Sequence, residues 1–141
     1  MNRRTILARS GLVLPALGPP ALLAGCLDAF EGTVRLCEVS VHNNSGNVHT
    51  VDLQILEGEE TVHDERYELG PPEEGYTKDV YVHGSALESA EGAFSIRARR
   101  GDGEWKERFL GDRGDAVAVR IFVREQERLP DLEIAYITGG C

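Results

Sequence analysis

Methionine, tryptophan and lysine are all scarce in this chain. Met1 is the only methionine, Trp105 the only tryptophan, and Lys78 and Lys106 are the only lysines among 141 residues. A blue-copper centre draws on two histidines, a cysteine and usually a methionine; Met1 sits in a segment read below as a removable leader, which excludes that chemistry. Nucleic acid and anionic headgroups are recognised by clustered Lys and Arg, and a chain of net charge −9 does not offer them. No G-x-S-x-G nucleophile elbow occurs, and "HGSA" places His83 only locally beside Ser85. No internal repeat or low-complexity tract appears.

What is there begins with the N-terminus, "MNRRTILARSGLVLPALGPPALLAGC". Arg3, Arg4 and Arg9 precede an apolar run over residues 11–24, and small residues lead into Cys26. Charge, then grease, then a small-residue cleavage site is the layout of an export signal. Fourteen residues of helix reach roughly 21 Å, short of a hydrocarbon core of about 30 Å. Pro15, Pro19 and Pro20 interrupt such a helix as well.

These residues resemble two export motifs. "NRRTIL" is similar to a twin-arginine signal, with Arg3 and Arg4 followed by Thr5, Ile6 and Leu7. "LAGC" resembles a lipobox, in which Leu23, Ala24 and Gly25 are recognised and Cys26 receives a glycerol thioether before cleavage on its N-terminal side. The resemblance covers only the first 26 residues. It implies a signal peptide over 1–25, a lipidated short tether over 26–33, and a folded domain over 34–141. It also implies a membrane partner held through the lipid on Cys26, on the extracytoplasmic face of the cell membrane.

Three cysteines are an odd number for an exported chain. With Cys26 carrying lipid, Cys37 and Cys141 are left as a pair in an oxidising compartment. Closing a loop of about 100 residues stabilises a fold by up to ~4.7 kcal/mol in the chain-entropy account. Two free thiols, with Cys37 buried as a small hydrophobe, are the alternative.

Removal of residues 1–25 takes away three arginines and no acid, so the charge of −9 becomes −12. Abundant Asp and Glu with scarce Lys resembles proteins of halophilic archaea, whose molar salt shortens the Debye length to about 3 Å and screens such self-repulsion. Residues 27–33 reach at most about 25 Å, which keeps the domain close to the membrane.

Beyond the tether the pattern has period two. Cys37, Val39 and Val41 share one expected face; so do Val51, Leu53 and Ile55, with Asp52 and Gln54 opposite. Alternation slips between Val62 and Tyr67, which predicts a bulge or an edge strand. Phe94, Ile96 and Ala98 align before "GDG", a hairpin turn. Val117, Val119, Ile121 and Val123 point inward, and Leu132, Ile134 and Tyr136 close the domain. "SALESAEG" predicts one helical turn capped by Ser85 with Glu88 three residues on. These elements predict an all-β, antiparallel β-sandwich of about 7–8 short strands, with a small closed barrel as the alternative. The pattern resembles immunoglobulin-like sandwiches, although Cys37 and Cys141 flank the domain where that family's bridge does not, and Trp105 falls on a late strand.

Candidate chemistry is thin. His42 and His49 flank the turn "NNSGN" and would face each other across a hairpin, but two ligands are too few for a structural zinc site. Glu59, Glu60, Glu73 and Glu74 sit in loops, where nothing raises a carboxyl pKa for general-acid work. "GDRGD" at 111–115 lacks the ligand density of a calcium loop. "NNS" makes Asn43 a glycosylation sequon. No catalytic residue, metal or cofactor is expected. The reading is a lipid-anchored module with a binding or structural role, meeting an unidentified protein or small-molecule partner, but no nucleic acid, through loops such as 70–75 and 111–115. Behind it stand an accessory substrate-binding lipoprotein of a transporter and a small metal-binding envelope protein or enzyme.

Overall fold

Strand after strand in this chain has one apolar face, and each such face must find a partner to leave water. The computed structural model describes residues 32–87 and 91–139. Among the described residues nine strands run in order: β1 (Val34–Asn43), β2 (His49–Glu57), β3 (Glu60–Leu69), β4 (Asp79–His83), β5 (Glu91–Gly92), β6 (Phe94–Arg100), β7 (Lys106–Phe109), β8 (Ala116–Val123) and β9 (Leu132–Thr138). Two sheets form. One has the order β4-β1-β8-β9, with β5 also paired to β1; the other has the order β3-β2-β6-β7. Their inner faces enclose a single core that includes Val41, Val51, Leu53, Ile55, Phe94, Ile96, Val119 and Ile121, each with no solvent exposure. The β-sandwich expected from the alternation is therefore what forms. The two-residue β5 is the extra element.

The pairing is antiparallel except between β1 and β8, which run parallel. Parallel neighbours need a long crossover, and here the crossover is everything from β2 to β7. The loop at 44–48 carries the chain from the first sheet to the second, so β1 and β2 do not form a hairpin. True hairpins join β2 to β3 through Gly58, at φ 62°, and β6 to β7 through Gly101, at φ 55°. Left-handed backbone of that kind costs glycine little.

One expected face needs correction. The β1–β8 register shifts between Leu36 and Glu38, so Cys37 is an extra residue in a bulge. Val34 and Leu36 point inward before it, Val39 and Val41 after it, while Cys37 is only half-buried. Cys37 therefore does not share the Val39 and Val41 face. The slip noted in β3 is also a bulge: Ile55 pairs with His63 but Leu56 with Thr61, leaving Val62 unpaired on an edge strand. Ser85 caps no helix. It lies inside a 3-10 turn, Gly84–Ala86, whose N-cap is His83 with no side-chain bond, and Glu88 lies outside the described residues.

The sandwich has two distinct poles. Gly32 packs against Gly111, Arg35 N–H donates to the Asp115 carbonyl at 2.8 Å, and Gly139 N–H donates to the Ala116 carbonyl at 3.1 Å. Both ends of the described chain thus leave at the pole of the 111–115 turn. At the other pole lie the 44–48 loop, the 70–78 loop and the 124–131 loop, tied together by Gly70 N–H to Thr77 O, Asn43 N–H to Lys78 O and Asn44 N–H to Val123 O.

Candidate binding face

The outward positions of β2 are Asp52 and Gln54, and strand pairing decides what surrounds them. Asp52 is opposite Arg66 of β3 on one side and Arg99 of β6 on the other. Gln54 is opposite Arg97, which in turn is opposite Glu107 of β7. Asp52 is only 8 % exposed although it sits on the outer surface of the sheet. A carboxylate removed from water is costly unless it is paired and hydrogen-bonded. Arg66 meets the need in bidentate form, donating Nε–H to Oδ1 at 2.7 Å and Nη2–H to Oδ2 at 3.1 Å. Arg99 donates Nε–H and Nη2–H to Oδ2 at 3.0 and 2.7 Å.

The Arg66 bonds hold the Asp52 carboxyl below its ordinary value; burial pushes the other way, and the Arg99 bonds add to the lowering. Asp52 in turn raises the Arg66 guanidinium. Both partners stay charged through the physiological range, so this cluster offers neither a general acid nor a base.

Above the ladder lies Trp105, one residue before β7. The guanidinium carbons of Arg97 and Arg99 stand 4.8 and 4.7 Å from its ring centroid, within reach of a cation–π contact. Arg97 also donates Nη1–H to the Gln54 side-chain oxygen at 2.9 Å. Three guanidiniums, an amide and an indole are thereby fixed in place across three strands and the approach to β7. Such a face can stack on a planar or apolar surface and present directed hydrogen-bond donors to it.

A second cluster has the form of a catalytic triad. On the outer face of the first sheet, His42 Nδ1 is 2.9 Å from Asp79 Oδ1, and its Nε2 is 2.8 Å from Ser40 Oγ. A carboxylate, an imidazole and a hydroxyl in that order can activate a nucleophile. Ser40, however, is 1 % exposed, and β1 is flanked by β4 and β8, so its backbone donors serve the sheet instead of an oxyanion. His42 also stacks on Phe122 and meets Tyr81 edge-on. Ser40 Oγ–H in turn reaches the Val119 carbonyl at 3.4 Å, so the chain of bonds ties β4, β1 and β8 together.

His49 is at the far pole, with Nε2 2.6 Å from Glu125 Oε1, so it does not face His42. Asn47 Nδ2–H donates to Glu125 Oε2 at 2.7 Å; that bond, then the one to His49, lowers the Glu125 carboxyl. His49 and Glu125 border an open hollow of about 460 Å³ with Arg100, Leu129 and Asp131. His63 Nε2 is 2.9 Å from the Tyr67 hydroxyl, whose pKa burial, aided by Glu65, pushes up to about 12. His83 pairs with Glu38 at 3.4 Å. Among the described residues no three His, Cys, Asp or Glu side chains converge as a metal site.

Asn43 is 1 % exposed. Its Nδ2 gives one hydrogen to the Asn47 carbonyl and the other to the Leu69 carbonyl, at 2.8 and 2.9 Å, while Oδ1 accepts from Ser45 N–H and Oγ–H. The amide that glycosylation would modify is committed within the fold, which opposes the sequon reading. Cys37 is disulfide-bonded. The other cysteines, Cys26 and Cys141, lie outside the described residues, as do Arg3, Arg4, Leu23, Ala24 and Gly25. Loops 70–75 and 111–115 occupy opposite poles and cannot form one surface.

Period-two spacing put Asp52 and Gln54 outward, but the cross-strand arginines could not be seen without the register. R-A-R at 97–99 and the lone tryptophan were the signals available. No family model matches the chain, and neither the curated proteins nor the solved structures contain a match.

Proposed function

We propose that this chain is a lipid-anchored β-sandwich on the extracytoplasmic face of the cell membrane, acting as a non-catalytic binding module. Twin-arginine and lipobox resemblances at residues 3–26 support the address. The observation that carries the binding reading is the Asp52 ladder. A carboxylate shielded from water and clamped across three strands fixes Arg66 and Arg99, and Arg99 with Arg97 supports Trp105. Groups held in place before a partner arrives lose little entropy when it does. Tryptophan and arginine are also the side chains that most often dominate interface energies.

The face runs along the side of the sandwich, parallel to the strands, while the tether leaves from one pole. A partner in the plane of the envelope can reach it without contest from the bilayer. Cys37 is disulfide-bonded, and a lipid on Cys26 would take that cysteine out of the pairing.

The address and the binding role separate experimentally. With Cys26→Ser the protein moves from the membrane fraction to the medium, and the mature wild-type mass begins at a lipid-modified Cys26. Retention of the Cys26→Ser protein in the membrane fraction would falsify the anchor. For binding, Cys26→Ser protein is titrated onto isolated envelopes beside the same protein carrying Trp105→Ala. Loss of an interface anchor weakens retention by about tenfold or more; equal retention of the two removes this face from the account.

A further inference from the structure

Among the described residues the two sheets have unpaired edges, and most of them are guarded against adding another strand. β3 carries Glu60, Asp64, Glu65, Arg66 and Glu68, together with the bulge at Val62. β7 has four residues, three of them charged, and β4 has five. Short strands, charges and bulges are the devices by which proteins protect an edge. β9 is the least guarded. Its seven residues, "LEIAYIT", include one charge, no proline and no bulge, and Ile137 is 44 % exposed.

Which β9 groups point outward follows from the bonds to β8. Gly139 N–H donates to Ala116 O, and Arg124 N–H donates to Asp131 O. In an antiparallel ladder the bonded residues alternate, so the odd-numbered residues of β9 turn their N–H and C=O toward β8. Those of Leu132, Ile134, Tyr136 and Thr138 face the open edge. Lys106 Nζ–H occupies the Leu132 carbonyl at 2.7 Å, which leaves Ile134, Tyr136 and Thr138 as the template.

We propose that β9 pairs with β9 of a second copy of this chain, antiparallel about a two-fold axis at Ala135. That register sets Ile134 opposite Tyr136 of the second copy, each pair exchanging backbone bonds. Ala135 stands opposite itself, where a methyl side chain permits close approach. Glu133 stands opposite Ile137, so no like charges meet, and Glu133 keeps its ion pair with Arg124. On the inner side, Tyr136 of the second copy enters the groove of about 320 Å³ between β7 and β9, bordered by Lys106, Arg108, Pro130 and Ile134. A strand that complements itself in sequence closes into a two-fold dimer, the commonest soluble assembly. The proposal is independent of the lipid.

Full-length Cys26→Ser protein, analysed by sedimentation velocity, tests the pairing. It sediments as a dimer. Ala135→Lys and Ala135→Glu each place like charges on the axis and weaken the dimer by at least about tenfold, while an equal mixture of the two restores it. A non-bonded antiparallel pair has its Cα atoms about 4.5 Å apart, inside the roughly 4.4–6.8 Å that a disulfide spans. Ala135→Cys on the Cys26→Ser background therefore cross-links to itself on mild oxidation. A monomer at every soluble concentration overturns the proposal, including the case in which β9 serves only a different protein. A dimer unaffected by Ala135→Lys overturns it too. Should the charged variants lose their β-sheet circular dichroism, the Ala135→Cys protein decides, and failure to cross-link is the negative result.

Discussion

Asp52→Asn keeps the shape of the side chain and removes the charge that two guanidiniums surround. The expected cost is about 1–2 kcal/mol. Both guanidiniums contribute: Arg66 through its bidentate bonds, although its side chain is 59 % exposed and screened by water, and Arg99 with its side chain 27 % exposed. The wild-type pair also gives an acid limb to stability. A carboxyl lowered in the folded state stabilises the fold above its unfolded value and loses that contribution as pH falls through the folded one. Urea midpoints should therefore decline below the ordinary aspartate value of 3.8, and that part of the decline should vanish in Asp52→Asn. Asn43 makes a companion case. Asn43→Ala leaves the Leu69 and Asn47 carbonyls without their donor and costs about 1–3 kcal/mol, read from the same titration. The intact mass of exported protein should show no glycan at Asn43. Its tripeptide fits a sequon in the sequence, and only the fold reveals that the amide is spent.

At the scale of elements, strand faces were legible and strand neighbours were not. Val51, Leu53, Ile55, Phe94, Ile96, Val117, Val119 and Ile121 all point where period-two alternation put them. The inward set follows from local geometry, since side chains alternate along any strand. Cys37 broke the rule because a bulge inserts one residue and resets the phase, and Cys, Glu and Val fit either phase. The parallel β1–β8 pair, the Asp52 ladder and the Asp79–His42–Ser40 chain all join residues distant in sequence, and no short window reports such partners. A glycine next to the bulge tests how tightly it is held. A Cβ on Gly84 would stand 1.9 Å from the Leu36 carbonyl oxygen, so Gly84→Ala must displace β1 or the 3-10 turn. The expected loss is about 1–3 kcal/mol by thermal or urea denaturation. A wild-type midpoint for Gly84→Ala would show that the turn yields freely.

Charge acts on the whole molecule. The chain carries −9, and −12 once the proposed leader is removed; such a charge repels itself at low ionic strength, and screening relieves that repulsion. The melting temperature should climb as potassium chloride rises toward molar levels. A flat or falling curve would mean that the ion pairs lost to screening outweigh the relief. The Asp52 ladder, shielded from water, should be among the last to weaken, so Asp52→Asn should remain destabilised in high salt.

Gly32 and Gly139 emerge at the same pole, beside the 111–116 segment. Strands of up to ten residues at about 3.3 Å each put the 124–131 loop roughly 30 Å away from it. Under the proposed anchor, an epitope fused after Cys141 would be crowded by headgroups and poorly read by antibody on intact cells. The same epitope inserted between Gln126 and Leu129 would stand clear, so one pair of labelled strains reports which way up the molecule is worn.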